Sequence, residues 1–348
     1  MGQNVPHCKL DKLPPLREKV ETIEILRQTN KSAAALAELK GIAGTIPNQS
    51  MLINAIVLQE AKDSSEIENI ITTQDELYKA LVVNKTNISS ETKEVVNYRE
   101  AIFYGYNIVK QQGFLRVNDI VGIQQQLVDN TAGIRSSPGT VLKNDATGEL
   151  VYVPPQDKKE ILDLLSNFVN HFNQADDNLS PLINLAIFHY QFESIHPFYD
   201  GNGRTGRILN ILYLILNDLI DVPILYLSSY IIENKPEYYR LLNQTNILGK
   251  WEEWILFMLK AVESTSRDAI TRIVNIKNHL DNTILKVQTE SPKIYKKELV
   301  ELLFEQPYSK IEYVVSKLNV ERKAASRYLR ELENIGIVES QKVGREIV

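Results

Sequence analysis

Cysteine is almost absent from this 348-residue sequence. Cys8 is the only one, so no internal disulfide can form, and no Cys/His group has the spacing of a structural zinc site. A reducing compartment fits this usage, and a cytoplasmic location is expected. Basic charge is not in excess either: 39 Lys and Arg stand against 44 Asp and Glu, for a net charge of −5. That balance excludes wholesale coating of nucleic acid but leaves room for a local basic face. Long apolar runs are missing too. The most apolar stretch, ILNILYLILNDLIDVPILYL, is interrupted by Asn217, Asp218, Asp221 and Pro223. It reads as a buried helix and the segment after it, and no membrane partner is expected. The N-terminal segment lacks the apolar centre of a signal peptide, and Pro6 stands where a myristoylation signal needs Ser or Thr. No export or lipid signal is expected.

Helical periodicity is present throughout. Apolar residues recur at intervals of three and four with few alternating runs, which predicts a mainly α fold. Helices are expected over 16–28, 31–40, 48–61, 64–69, 73–83, 90–112, 117–127, 157–174, 180–194, 204–218, 228–231, 235–246 and 250–285. The exception is GIRSSPGTVLKNDATGELVYVPP. Val141 and Leu142, then NDATGE, then Leu150 to Val153 form a short predicted hairpin closed by Pro154 and Pro155. A lone two-stranded hairpin is marginal, so it packs on the helices, serves as a flap over something, or is a surface loop. Composition changes near residue 290. From Ile294 on, the order helix, helix, turn, helix and two short strands is that of a winged helix-turn-helix domain. Arg322, Lys323, Arg327 and Arg330 there make a candidate DNA-reading helix, diluted by Glu321, Glu331 and Glu333. The expected divisions are an N-terminal helical region (1–112), a core (113–260), a helical linker (261–292) and the tail (293–348).

The stretch DGNGRTGR, Asp200 to Arg207, imitates two phosphate loops at once. Its glycines match the dinucleotide fingerprint GxGxxG, but that fingerprint comes after a strand, and the preceding PLINLAIFHYQFESI has helical spacing after Ser180 and Pro181. A P-loop needs lysine and a hydroxyl where Arg207 and Ile208 stand. What remains is a helix, a glycine-rich turn and a second helix beginning near Arg204. Such a turn brings bare amides and a helix N-terminus to an anion. Arg204 and Arg207, three residues apart, project from one side of that helix. Asp200 is a hard oxygen ligand suited to magnesium, and His196 is a candidate proton acceptor.

The run HPFYDGNGRTGR matches in full the motif HPFx[DE]GNGRxxR, and the sequence resembles the Fic (Fic/Doc) family of protein adenylyltransferases. The resemblance implies a Fic-type helical bundle with a small β-hairpin flap. It also implies transfer of AMP from ATP to a Tyr, Thr or Ser hydroxyl of a protein, with release of pyrophosphate. His196 would accept the hydroxyl proton and Asp200 would hold Mg2+. Gly201, Asn202 and Gly203 would form the anion hole, within an ATP-binding stretch that runs through Arg204, Thr205, Gly206 and Arg207. Upstream, SSEIEN fits the family's inhibitory pattern [ST]xxxE[GN] with Ser64, Glu68 and Asn69, and Glu68 would occupy Arg207 in place of the outer phosphate. The segment LSSYIIENKPEYYRLLNQTN resembles the family's base- and ribose-contacting region, which maps onto Tyr238, Tyr239 and Asn246. Glu233 is a further candidate for the base edge, and core packing is the alternative for the tyrosines. The expected partners are ATP, a protein substrate docked on the flap 133–155 (the chain itself included), a second copy in a homodimer, and DNA through the tail. A DNA-binding regulator with a nucleotide-sensing Fic domain, and a Fic enzyme that removes AMP or moves another phosphate-containing group, are the alternative functions.

Overall fold

A computed structural model describes residues 10–46, 48–82, 88–143, 150–174, 178–306, 308–343 and 346–347. Cys8, and the NDATGE turn of the expected hairpin, lie outside the described residues. The N-terminal helices are α1 (Arg17–Val20), α2 (Ile23–Ala43), α3 (Gln49–Ile67), α4 (Gln74–Val82) and α5 (Ser90–Gln112). After α6 (Val117–Val128) come the antiparallel pair β1 (Leu142–Lys143) and β2 (Leu150–Tyr152), with Leu142 opposite Tyr152 and Lys143 opposite Leu150. Next are α7 (Lys158–Asn173), α8 (Pro181–Ile195), α9 (Asn202–Leu216), α10 (Ser228–Glu233), α11 (Lys235–Leu248) and the 40-residue α12 (Trp251–Glu290). The tail holds α13 (Lys297–Glu305), α14 (Ile311–Leu318), α15 (Arg322–Asn334) and the pair β3 (Lys342–Val343) with β4 (Glu346–Ile347). No helix of the described residues is long and apolar enough to cross a membrane.

Several expected boundaries are corrected. The helix expected over 16–28 is parted at Glu21 and Thr22 into α1 and the start of α2. The helices placed at 48–61 and 64–69 are one helix, α3. The polar residues between them do not interrupt it, because Gln59 Nε2 donates to Asp63 Oδ1 at 2.7 Å, one turn on, within the buried side of the helix. Likewise α2 runs unbroken through Asn30 and Lys31, and Thr22 caps it by accepting from the Ile25 amide. The glycine-motif helix, expected from Arg204, starts at Asn202.

The core forms around α8, whose residues from Leu182 to Ile195 are all buried. Its apolar residues leave no solvent face, and Asn184, His189, Gln191, Glu193 and Ser194 are buried along with them. Ser180 and Pro181 begin it as an N-cap and first-turn proline. Phe168 and Phe172 of α7, Phe188 and Phe192 of α8, and Tyr213 of α9 interlock with ring centroids 5.0–5.8 Å apart. Across the molecule, α2 lies along α12, held at Ser32, whose hydroxyl donates to the Leu259 carbonyl at 2.7 Å. The tail is fastened to the N-terminal half of α3. Asn48 Nδ2 donates to Glu305 Oε1 at 2.7 Å and Asn54 Nδ2 to the Glu305 carbonyl at 3.2 Å.

Candidate active site

Helix α8 ends at His196, which takes a left-handed conformation (φ 48°) while its amide still donates to the Phe192 carbonyl. A side-chain-bearing residue adopts this shape at a cost of roughly 1–2 kcal/mol, so neighbouring bonds must hold it. The chain turns through Pro197–Asp200 and enters α9 at Gly201 (φ 78°), where an added Cβ would lie 2.8 Å from Val128 Cγ1. Because α9 begins so early, the amides of Asn202, Gly203 and Arg204 precede its first intrahelical bond and point out of its positive end. The Asn202 side chain does not join them. Its Oδ1 accepts from the Phe198 amide at 2.8 Å and its Nδ2 donates to the Phe198 carbonyl at 2.9 Å, which closes the turn. Replacing Asn202 by Ala strands both main-chain groups in a buried place, and roughly 1–3 kcal/mol of stability should be lost. Thermal melting of the variant checks this, and an unchanged midpoint would contradict the bracing role.

The two arginines are engaged by different acids. Arg204, buried, donates through Nη1 to Glu94 of α5 at 2.7 Å, while its Nη2 lies 3.4 Å from Asp200 Oδ1. Arg207 points inward to the last turn of α3. Its Nε donates to Ser64 Oγ at 2.7 Å, and its Nη2 to the Ser64 carbonyl at 2.9 Å and to Glu68 Oε1 at 2.8 Å. Glu68 is the C-cap of α3 and Asn69 comes next at φ 62°, so the SSEIEN motif is the end of that helix. Gly203 makes the approach possible, since a Cβ there would stand 2.5 Å from Glu68 Oε1. Burial raises the Glu68 pKa, but the charge and hydrogen bonding of Arg207 outweigh it and hold the carboxyl below its ordinary value.

Behind Arg207 lie two buried acids. Glu60, one turn before Ser64, accepts from Tyr98 Oη at 2.9 Å and from Ser228 Oγ at 2.6 Å, and burial pushes its pKa up to about 7. Glu193 is also pushed up to about 7 by burial, and its Oε1 has no hydrogen-bond partner among the described residues. It packs so closely on Gly206 that an added Cβ there would overlap Oε1. Gly206 therefore lets α9 lie against α8, and Thr205 beside it is wholly buried. Gly206→Ala should lower the melting temperature by several degrees, and a melting curve like the parent's would refute the tight contact.

The remaining expected residues are scattered in kind. Tyr238 sits in the core at 1% exposure, its hydroxyl 2.9 Å from His189 Nε2 and its ring against Trp254. Tyr239 is exposed beside it. Asn246 Oδ1 accepts from Tyr190 Oη at 2.7 Å and from Ser194 Oγ at 3.2 Å, which links α11 to the end of α8. Glu233 is exposed at the end of α10. Asp200 is exposed and accepts from its neighbour's amide, Gly201, at 2.6 Å. Among the described residues no three His, Cys, Asp or Glu side chains are grouped to hold a metal. Sequence reading missed Glu94, Glu60 and Glu193; only the spacing of Glu60, one turn before Ser64, was a local signal for any of them.

Three family models match in succession: Fic/DOC family N-terminal over residues 26–107, Fic/DOC family over 114–214, and the C-terminal domain of SoFic-like protein adenylyltransferases over 280–348. The chain belongs to the Fic/DOC family. Curated Fic relatives include protein adenylyltransferase fic-1 of Caenorhabditis elegans, 25% identical over 187 residues, with 52% of this chain and 34% of the relative aligned. Protein adenylyltransferase Fic of Nematostella vectensis is 28% identical over 172 residues, 48% of this chain and 37% of that one. The chain thus spans about a third of the length of these relatives. Among solved Fic structures, a Fic family protein from Desulfovibrio desulfuricans G20 has the same fold. It has a TM-score of 0.62 at 19% identity, covering 96% of this chain and 97% of that one.

Proposed function

We propose that this Fic protein is an adenylyltransferase restrained by its own helix α3. The observation that carries the reading is the Glu68–Arg207 pair, lodged over Gly203 beside an otherwise intact glycine turn. In the reaction, a Tyr, Thr or Ser hydroxyl oxygen attacks the α-phosphorus of ATP, the bond to the β-phosphate oxygen breaks, and pyrophosphate leaves. His196 accepts the hydroxyl proton. The amides of Asn202, Gly203 and Arg204 receive phosphate oxygens, and Arg204 and Arg207 hold the outer phosphates once their acids give way. Asp200 is the residue that would hold Mg2+; one exposed carboxylate suits an ion that keeps waters and takes phosphate oxygens, and the bound ion neutralises phosphate charge. Glu233, Tyr239 and Asn246 belong to the nucleotide side of the proposal.

The hairpin β1–β2 within 133–155 is read as the flap on which an extended segment of the protein substrate pairs by main-chain hydrogen bonds. The tail is read as a winged helix. Arg322, Lys323, Arg327 and Arg330 are carried on α15, which supports a DNA-contacting role. A homodimer and a cytoplasmic location complete the proposal. A second reading, removal of AMP with Glu68 orienting water, is favoured by the placement of its carboxylate within the site. The deciding experiment incubates the chain with ATP, Mg2+ and cell lysate. Label on the α-phosphate should enter protein and label on the γ-phosphate should not; the reverse pattern would make it a phosphotransferase.

A further inference from the structure

Arg135 stands at the start of the hairpin segment and is wholly buried. Its Nε donates to the His196 carbonyl at 2.7 Å. Nη2 donates to the Ile195 carbonyl at 3.3 Å and to the carbonyl of Pro155, at the far end of the same segment. The main chain adds to this: the Arg135 amide donates to the Pro197 carbonyl at 2.9 Å, and Ile134 bridges Phe198. The carbonyls of Ile195 and His196 are the last of α8, which no intrahelical donor reaches and on which the negative end of the helix dipole falls. A guanidinium placed there satisfies them with charge-assisted bonds, in the very turn where His196 is bent into a left-handed shape. Nη1 has no hydrogen-bond partner among the described residues. The acceptors of this cation are therefore main-chain oxygens, and its charge is left to act on the neighbouring imidazole.

We propose that Arg135 is a positioning residue for the transfer reaction: one buried cation caps the helix that ends in His196 and ties both ends of the flap to that turn. The base and the hydroxyl presented by the flap then share one frame. The proposal rests on the reading of His196 as proton acceptor. It also has an electrostatic side. Burial and, next, the Arg135 charge depress the His196 pKa to about 4, against the opposing carboxylates of Glu68 on α3 and Asp200 on the same turn. Removing the cation must raise that pKa.

The test uses the full chain carrying Glu68→Gly. Transfer of α-labelled ATP into lysate protein is measured from pH 5 to 8, ATP affinity is determined by calorimetry, and the histidine ring carbons are titrated by NMR with His196→Ala to assign the signal. For Arg135→Met, transfer should fall at least about tenfold with ATP affinity within about twofold, and the His196 midpoint should rise by about 0.5–1 pH unit. Arg135→Lys keeps the charge but not the fork, so transfer should fall while the midpoint stays. A lower rate with an unmoved midpoint in Arg135→Met, or parental transfer in either variant, overturns the proposal. If Arg135→Met does not fold, the rate of Arg135→Lys decides. If Glu68→Gly shows no His196-dependent labelling, the functional reading has failed, and the NMR titration alone still decides whether Arg135 governs the imidazole.

Discussion

Glu68→Gly is expected to raise transfer of AMP to protein by about 100-fold, the scale set by moving a reacting centre by about 1 Å. Arg207 is 1% exposed, and its Nη2 is divided between the Ser64 carbonyl and Glu68. On the proposed mechanism, an outer phosphate would meet a negative group over Gly203 instead of a free guanidinium, and the α-phosphorus would be turned away from the line of attack. Deleting the carboxylate leaves the Ser64 bonds to Nε and Nη2 intact, so Arg207 stays where it is and its charge becomes available. Because the pair holds the Glu68 carboxyl below its ordinary range, neutral or mildly acidic pH does not loosen it. Parent and Glu68→Gly chains are compared with α-labelled ATP and Mg2+; equal labelling would sink the self-restraint mechanism.

His196→Ala, made in the Glu68→Gly chain, should cost about 10²- to 10⁴-fold in transfer, the usual contribution of a positioned base. ATP affinity should hardly change, since the anion hole and both arginines remain. The pH profile gives an independent check. A base must be neutral to accept a proton, and with its pKa near 4 the imidazole is neutral throughout pH 5 to 8. No acid limb is expected near 6.5, where an exposed histidine titrates. The same depression acts on stability: as pH falls from about 6.5 to 4, the unfolded chain takes up a proton that the folded His196 refuses, so folding weakens over that window. Persistent transfer in the alanine variant would remove His196 from the mechanism.

The order of helices, and the residues around the glycine turn, were legible in the sequence because they depend on local spacing. Ser180 and Pro181 start α8 as their positions require, and the turn from His196 to Gly201 comes directly after it. One contact between distant segments, Glu68 with Arg207 across 139 residues, was legible through the resemblance of SSEIEN to the family's inhibitory pattern; the others were not. Glu94 meets Arg204 across 110 residues and Arg135 meets His196 across 61, and neither residue stands out in its own neighbourhood. The acid that engages Arg204 shows the same limit: helix spacing sets which way a side chain leaves, but the acids packed nearby decide where its charge settles. The unity of α3 was missed because polar residues on a buried face look like a break until their partners are known.

The missing side chain at residue 203 joins two opposed duties in one small space. The Glu68 carboxylate fills that space and, on the proposed mechanism, an outer phosphate would need it too, so a bulkier residue there would silence transfer while also unseating the acid. On the proposed mechanism, a change that releases the restraint and spares the chemistry is therefore expected at the end of α3 and not in the glycine turn.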